Sequence, residues 1–364
     1  MFSVYNGYKT INTDKKTYFA GANTGEGFVG VYSDIADERE LKRVYIIKGG
    51  AGCGKSTLMR KTAEVAEREG YSVEYYLCGS DPSSLDCIVI DGKIAVLDGT
   101  SPHIKEMTFP GACSEIVDIT KYWESVILEK RKEEIIENTL LKKADYESAY
   151  RYLRAAETIE RERKETARSF FDKEKALKYI ERFLKNIKAS EVNSLKNKIR
   201  YSHSLSMTGA WKVDTDLKCS RNVYTVSETQ GTASFFMDLL HSELTTRRIP
   251  HTLSLMPLGR NITAITLEKM STTVIVSDDE KYDKKINMDR FVSKEEFTRK
   301  RGQIRLAGKC EQGCISDALG VLSSASIHHF ELEEVYKSAM DFESLSDYTE
   351  TLITEIIERI EKNI

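Results

Sequence analysis

Four residues at fixed spacing define the first candidate chemistry. Gly49, Gly54, Lys55 and Ser56 fill the pattern G-x-x-x-x-G-K-[ST] within residues 44–57. Glycine lets the backbone turn through positive φ and lie against an anion, where a Cβ would clash. Successive N–H groups in such a loop converge on a phosphate. Lys55 then reaches the β- and γ-phosphates, and the Ser56 hydroxyl supplies a ligand for Mg²⁺. The expected lining is Gly49, Gly50, Ala51, Gly52, Cys53, Gly54, Lys55, Ser56 and Thr57. At average glycine usage these four positions coincide in about one chain in a hundred of this length, so the flanking elements must carry the rest.

Those flanks suit the motif. Residues 44–47 are a β-branched and aromatic run, and residues 56–69 read as a helix that Gly70 closes. A helix entered through such a loop adds its positive end to the amides. Residues 72–77 read as a buried strand, followed by a loop over 78–86. Two apolar runs, 87–90 and 94–97, flank the turn pair Asp91-Gly92. The second run ends in Asp98, where a carboxylate can orient Mg²⁺ and its waters. Asp91 also ends a run, but its turn accounts for it. Beyond Asp98, Thr100, Ser101 or His103 could sense the terminal phosphate, although a lone histidine is more often an ordinary loop residue. Asp81, Asp86 and His103 are the candidates for orienting a water. Upstream, the glycine-rich stretch 18–30 reads as a loop or hairpin, with Asn23 and Thr24 as possible contacts to a base or ribose.

The chain has 364 residues, enough for two or three domains. Charged residues make up 30% and the net charge is −3, so no specific nucleic-acid signal arises. Seven scattered cysteines, an odd number, suit reduced thiols in the cytoplasm. Cys310 and Cys314 stand four apart, and His328 and His329 complete no metal-ligand set. The N-terminus has no signal-peptide pattern, and no apolar run approaches the ~20 residues of a membrane helix.

From residue 122 the composition turns helical. Tyr146, Ala149, Tyr150, Leu153 and Ala156 recur at helical spacing, as do Leu177, Ile180, Leu184 and Ile187. Residues 160–165 are charged all round, which ordinarily means a solvated face. A helical arm over about 122–200, serving as a lid or a protein-partner surface, would have the same sequence.

Residues 222–236 can be laid on 43–57 at a constant offset, matching Val44, Tyr45 and Gly52 to Val223, Tyr224 and Gly231. Further on, Glu64 and Arg68 meet Glu243 and Arg247, and residues 168–172 meet 337–341. At that offset Glu228 replaces Gly49, Ala233 replaces Gly54, Ser234 replaces Lys55, Phe235 replaces Ser56, and Ser277 meets Asp98. The second copy has thus lost its cation and metal ligand and gained a carboxylate. The expected fold is α/β: tandem three-layer P-loop domains with helical insertions, residues 1–200 intact and 201–364 degenerate.

The motifs resemble an uncharacterised family of duplicated P-loop ATPase-like proteins of spore-forming Gram-positive bacteria. The resemblance is carried by Asn23-Thr24, Gly54-Lys55-Ser56, residues 80–86 and residues 98–103. It implies nucleotide binding and a duplicated fold; members often keep both loops, whereas this chain keeps one. ATP is expected over GTP because no Asn-Lys-x-Asp signature follows the loop. With Gly99 after Asp98 instead of a glutamate, turnover should be slow, with Lys55 and Asp98 carrying it. Three functions fit: an ATPase or ATP-driven switch, a small-molecule or nucleotide kinase using residues 81–86, or a module that keeps ATP as a structural ligand. In the first, Arg221, Arg247, Arg248 or Arg260 would reach the front site in cis.

Overall fold

The computed structural model describes residues 7–101, 105–185, 197–228, 231–278, 281–282 and 284–362, so His103 lies outside the described residues. The fold is mixed α/β around a large central sheet. The strand Arg43–Lys48 and the helix Lys55–Arg68 form as expected. Val44, Tyr45, Ile46 and Ile47 are fully buried. Each such side chain contributes about 1.5–3 kcal/mol, so this strand is a rigid base for the loop after it. Arg43–Lys48 is parallel to Ile94–Asp98 on one side and to Ser114–Asp118 on the other.

Instead of two separate sheets, the two halves share one sheet of twelve strands. From its edge the front half contributes Ser114–Asp118, Arg43–Lys48, Ile94–Asp98, Leu85–Ile90, Val73–Leu77 and Lys16–Phe19. The rear half continues with Lys198–Tyr201, Thr252–Leu255, Ile262–Leu267, Thr272–Val276, Asn222–Val226 and Lys285–Ile286. The order is the same read from either edge. At the centre Phe19 pairs with Tyr201 in antiparallel sense. Buried Arg200 holds that seam, lying 3.0 Å from Glu74 and 4.4 Å above the Tyr18 ring. Glu74 drops to a pKa of about 2: burial opposes ionisation, but Arg200 and Lys16 overcome it.

The stretch 18–30 does contain a hairpin, Gly21–Thr24 with Gly27–Gly30. It too is duplicated, by His203–Ser206 with Gly209–Val213. Thr24 donates its hydroxyl to the Gly27 carbonyl as Ser206 does to Gly209, and both glycines have positive φ.

Each half also sends its last helix onto the other. Lys173–Leu184 packs on Thr232–Thr246, and Phe342–Glu361 packs on Lys55–Arg68. The crossing contacts are mirrored: Glu124 N–H donates to Ala339 O and Ser293 N–H to Phe170 O. Asp172 and Asp341 cap the exchanged helices by accepting from Lys175 N and Ser344 N.

The helical segment is therefore not a free arm. Helix Lys132–Arg168 runs antiparallel along helix Lys294–Lys337 of the rear half. Ala149, Leu153 and Ala156 are buried, as are Ala318, Leu322 and Ala325 at identical spacing. The charged run 160–165 is solvated only in part, since Glu160 and Arg163 are buried. No helix among the described residues is long and apolar enough to cross a membrane.

Candidate functional site

The front loop leaves Arg43–Lys48 and enters Lys55–Arg68 through Gly52 (φ +67°) and Gly54 (φ +87°). Side chains are also excluded sterically. A Cβ on Gly49 would come within 2.8 Å of Ile119, and one on Gly52 within 2.8 Å of the Glu333 carbonyl oxygen. Lys55 folds back over the loop, donating to the Gly50 carbonyl with its Nζ 3.5 Å from Asp98 Oδ2. Both side chains are 11% exposed, so the pair is shielded without being sealed. Asp98 Oδ1 accepts from Thr100 N at 2.8 Å, and Thr100 Oγ1 donates to Gly49 O at 2.8 Å. Ser56 Oγ accepts from Leu85 N at 3.0 Å. Lys55, Ser56, Thr100 and Asp98 thus meet at one end of adjacent strands. The glycine loop and Lys55 are the residues that could hold a phosphate, although Gly49 N–H already donates to Thr100 Oγ1. The Ser56 hydroxyl and Asp98 are the residues that could hold magnesium, which keeps most of its waters and needs few protein ligands.

The cover of this loop comes from the rear half, which the motif alone does not reveal. A Cβ on Gly50 would stand 3.1 Å from the Tyr336 ring, and one on Gly54 3.1 Å from Leu345. Glu333 is paired with His329 (3.5 Å) and Lys337 (3.1 Å). Those partners bring its pKa to about 2, His329 contributing most and burial opposing. The match of 168–172 to 337–341 was the only trace of this exchange in the sequence. Arg221, Arg247, Arg248 and Arg260 are not among these covering residues; Arg247, for instance, pairs with Glu243.

The rear loop keeps the place and loses the cradle. Its helix, Thr232–Thr246, starts at Gly231 (φ +93°), where a Cβ would lie 3.0 Å from Arg163 Nη1 of the long helix. Gly231 thus faces the long helix as Gly52 does, but already caps its own helix. The constant offset then slips by one residue: Phe236, Met237 and Leu244 are buried where Leu58, Met59 and Ala66 are. In that register Ala233 meets Lys55 and Ser234 meets Ser56, correcting the expectation of Ser234 and Phe235. Strand pairing sets Val226 against Val276 as it sets Ile47 against Asp98, so Val276, not Ser277, replaces the acid. Gly231 N–H donates to the Glu228 carboxylate, an internal anion in the loop. Burial raises the Glu228 pKa, with the Gly231 N–H and Arg163 opposing. Around it lie Glu160, Lys164 and an Arg163–Glu311 pair at 2.9 Å.

Several expected residues serve structure. Asp81 accepts from the Ser83 and Ser84 hydroxyls, and Asp86 accepts from Tyr32 OH at 2.9 Å. Asn23 donates to Leu205 O and accepts from Tyr150 OH. Cys310 is exposed and Cys314 half-buried, and no group of three potential metal ligands occurs among the described residues. Comparison with protein-family models, curated proteins and solved structures gave no match.

Proposed function

We propose that the chain is an ATP-binding P-loop protein of the cytoplasm: two P-loop-type halves, one intact and one degenerate, acting as a slow ATPase or ATP-dependent switch. The observation that carries this reading is the front loop. Its glycines turn through positive φ and exclude Cβ atoms, and Lys55 and Asp98 meet over it. Bound Mg²⁺ would neutralise charge on the phosphates. Gly49–Thr57 would hold the nucleotide, with Ser56 and Asp98 toward the metal. The resemblance to duplicated P-loop ATPase-like proteins agrees with the mirrored sheet.

Slow turnover is supported by the engagement of Asp81 and Asp86 in structural hydrogen bonds. The same engagement weighs against a kinase that would hold its acceptor there. The test is thermal-shift binding of ATP, GTP and ADP with Mg²⁺, followed by phosphate release on the same sample. ATP should stabilise most, and phosphate should appear slowly without any added acceptor. Equal indifference to all three nucleotides would end this reading. Turnover only with an added metabolite would replace it with a kinase.

A further inference from the structure

The long helices bring one more charged residue to the front loop, outside its own motif. Lys142 lies on helix Lys132–Arg168, four residues after buried Asn138 and seven before buried Ala149, so it faces inward. Its mirrored position follows from the crossing contacts. The bridges Trp123–Met340 and Phe171–Val292 are copies of one another, and Ala149, Leu153 and Ala156 match Ala318, Leu322 and Ala325. In that correspondence Lys142 matches Glu311, and Leu332 matches Arg163.

The rear half shows where this position points. Glu311 lines the pocket at Gly231, Ser234 and Glu228, and pairs there with Arg163. In the front half Leu332 stands where that arginine would be and offers no charge. Lys142 stands at the mirrored place of Glu311 instead, half-buried. Burial lowers its ammonium pKa, Glu333 raises it, and Lys55 lowers it further. The Asp98 carboxylate lies 3.5 Å from Lys55, and Glu333 favours the charged form of Lys142, so both cations are kept at the loop. The two copies therefore differ in what the mirrored helix position supplies: a carboxylate, Glu311, at the rear and an ammonium, Lys142, in front.

We propose that Lys142 is a second phosphate-binding lysine, which holds the terminal phosphate of the nucleotide from the helix side, opposite Lys55. This rests on the nucleotide reading above. The loop amides would hold the inner phosphates and Lys55 would reach the β- and γ-phosphates, so a cation on the covering helix would meet the terminal one from the other side. A charge-assisted hydrogen bond of this kind corresponds to about a tenfold to hundredfold change in affinity.

The test is calorimetric titration of the full chain with Mg-ATP and with Mg-ADP, for wild type, Lys142→Gln and Lys142→Arg. The expected result is ATP binding weakened at least tenfold in Lys142→Gln, ADP binding unchanged within about twofold, and ATP binding largely restored in Lys142→Arg. Circular dichroism and urea unfolding confirm that the variants are folded. If Lys142→Gln binds both nucleotides as wild type does, the proposal falls and the nucleotide reading stands. Equal loss for ATP and ADP overturns the terminal-phosphate assignment. If wild type binds neither nucleotide, both readings fall.

Discussion

Front and rear loops occupy matched places in one sheet, yet they are built differently. In front, a glycine cradle turns past Gly52 and Gly54 before the helix begins. At the rear the helix begins at Gly231 itself, and Glu228 lies on that N–H. The covering helices are exchanged in the same way on both sides. On the reading proposed above, a phosphate site has been lost while its scaffold stayed whole. A shortened turn and one carboxylate suffice, because neither disturbs the strand below nor the helix above.

This comparison can be broken at several points. The largest effect is expected in the rear pocket, where Arg163→Ala leaves Glu311 buried without its partner. Urea unfolding should show a loss of about 3–5 kcal/mol, and replacing both residues by apolar ones should recover most of it. A loss below about 1 kcal/mol would mean that the Arg163–Glu311 pair does not hold the rear pocket together. Next comes the loop itself. At a hundredfold excess of ATP over its Kd, binding stabilises the fold by about 2.7 kcal/mol. Lys55→Ala should abolish that gain, whereas Ser234→Ala should keep all of it. Equal loss in both variants would erase the distinction between the two sites.

The front cover carries a pH dependence of its own. The Glu333 carboxyl is held at about 2, below its ordinary 4.5. Its contribution is therefore present above about pH 4.5 and lost as pH falls toward 2. Partial exposure limits it to about 2 kcal/mol. Glu333→Gln should destabilise the chain at pH 6 and differ little from wild type near pH 2. A destabilisation of equal size at both values would show that packing, not charge, explains Glu333. The smallest effect sharpens the mirror. Asp172→Ala and Asp341→Ala remove equivalent caps and should each cost about 1 kcal/mol. Costs that differ by much more than 0.5 kcal/mol would show that the exchanged helices are not energetically alike.

Much of the front site could be read in the sequence because its signals are local. The glycine spacing around Lys55, the strand before it and the helix after it lie within a few residues of one another. Asp98 needed only one further strand. The cover of the loop was hidden, since Glu333 and Tyr336 reach it from the long helix of the rear half, a contact that no local pattern encodes. The charged run 160–165 misled for the same reason: Glu160 and Arg163 are buried only because the rear loop comes to meet them. The joined sheet was equally silent, resting on the single pair of Phe19 with Tyr201. The one-residue slip in the rear helix escaped a constant-offset alignment because hydrophobic spacing, not identity, sets its register.

The most direct test counts nucleotides. Titration of the full-length chain with Mg-ATP in a calorimeter should give a stoichiometry of one per chain, all of it lost in Lys55→Ala. Two equivalents, or no binding, would contradict a molecule with one working loop and one closed by its own Glu228.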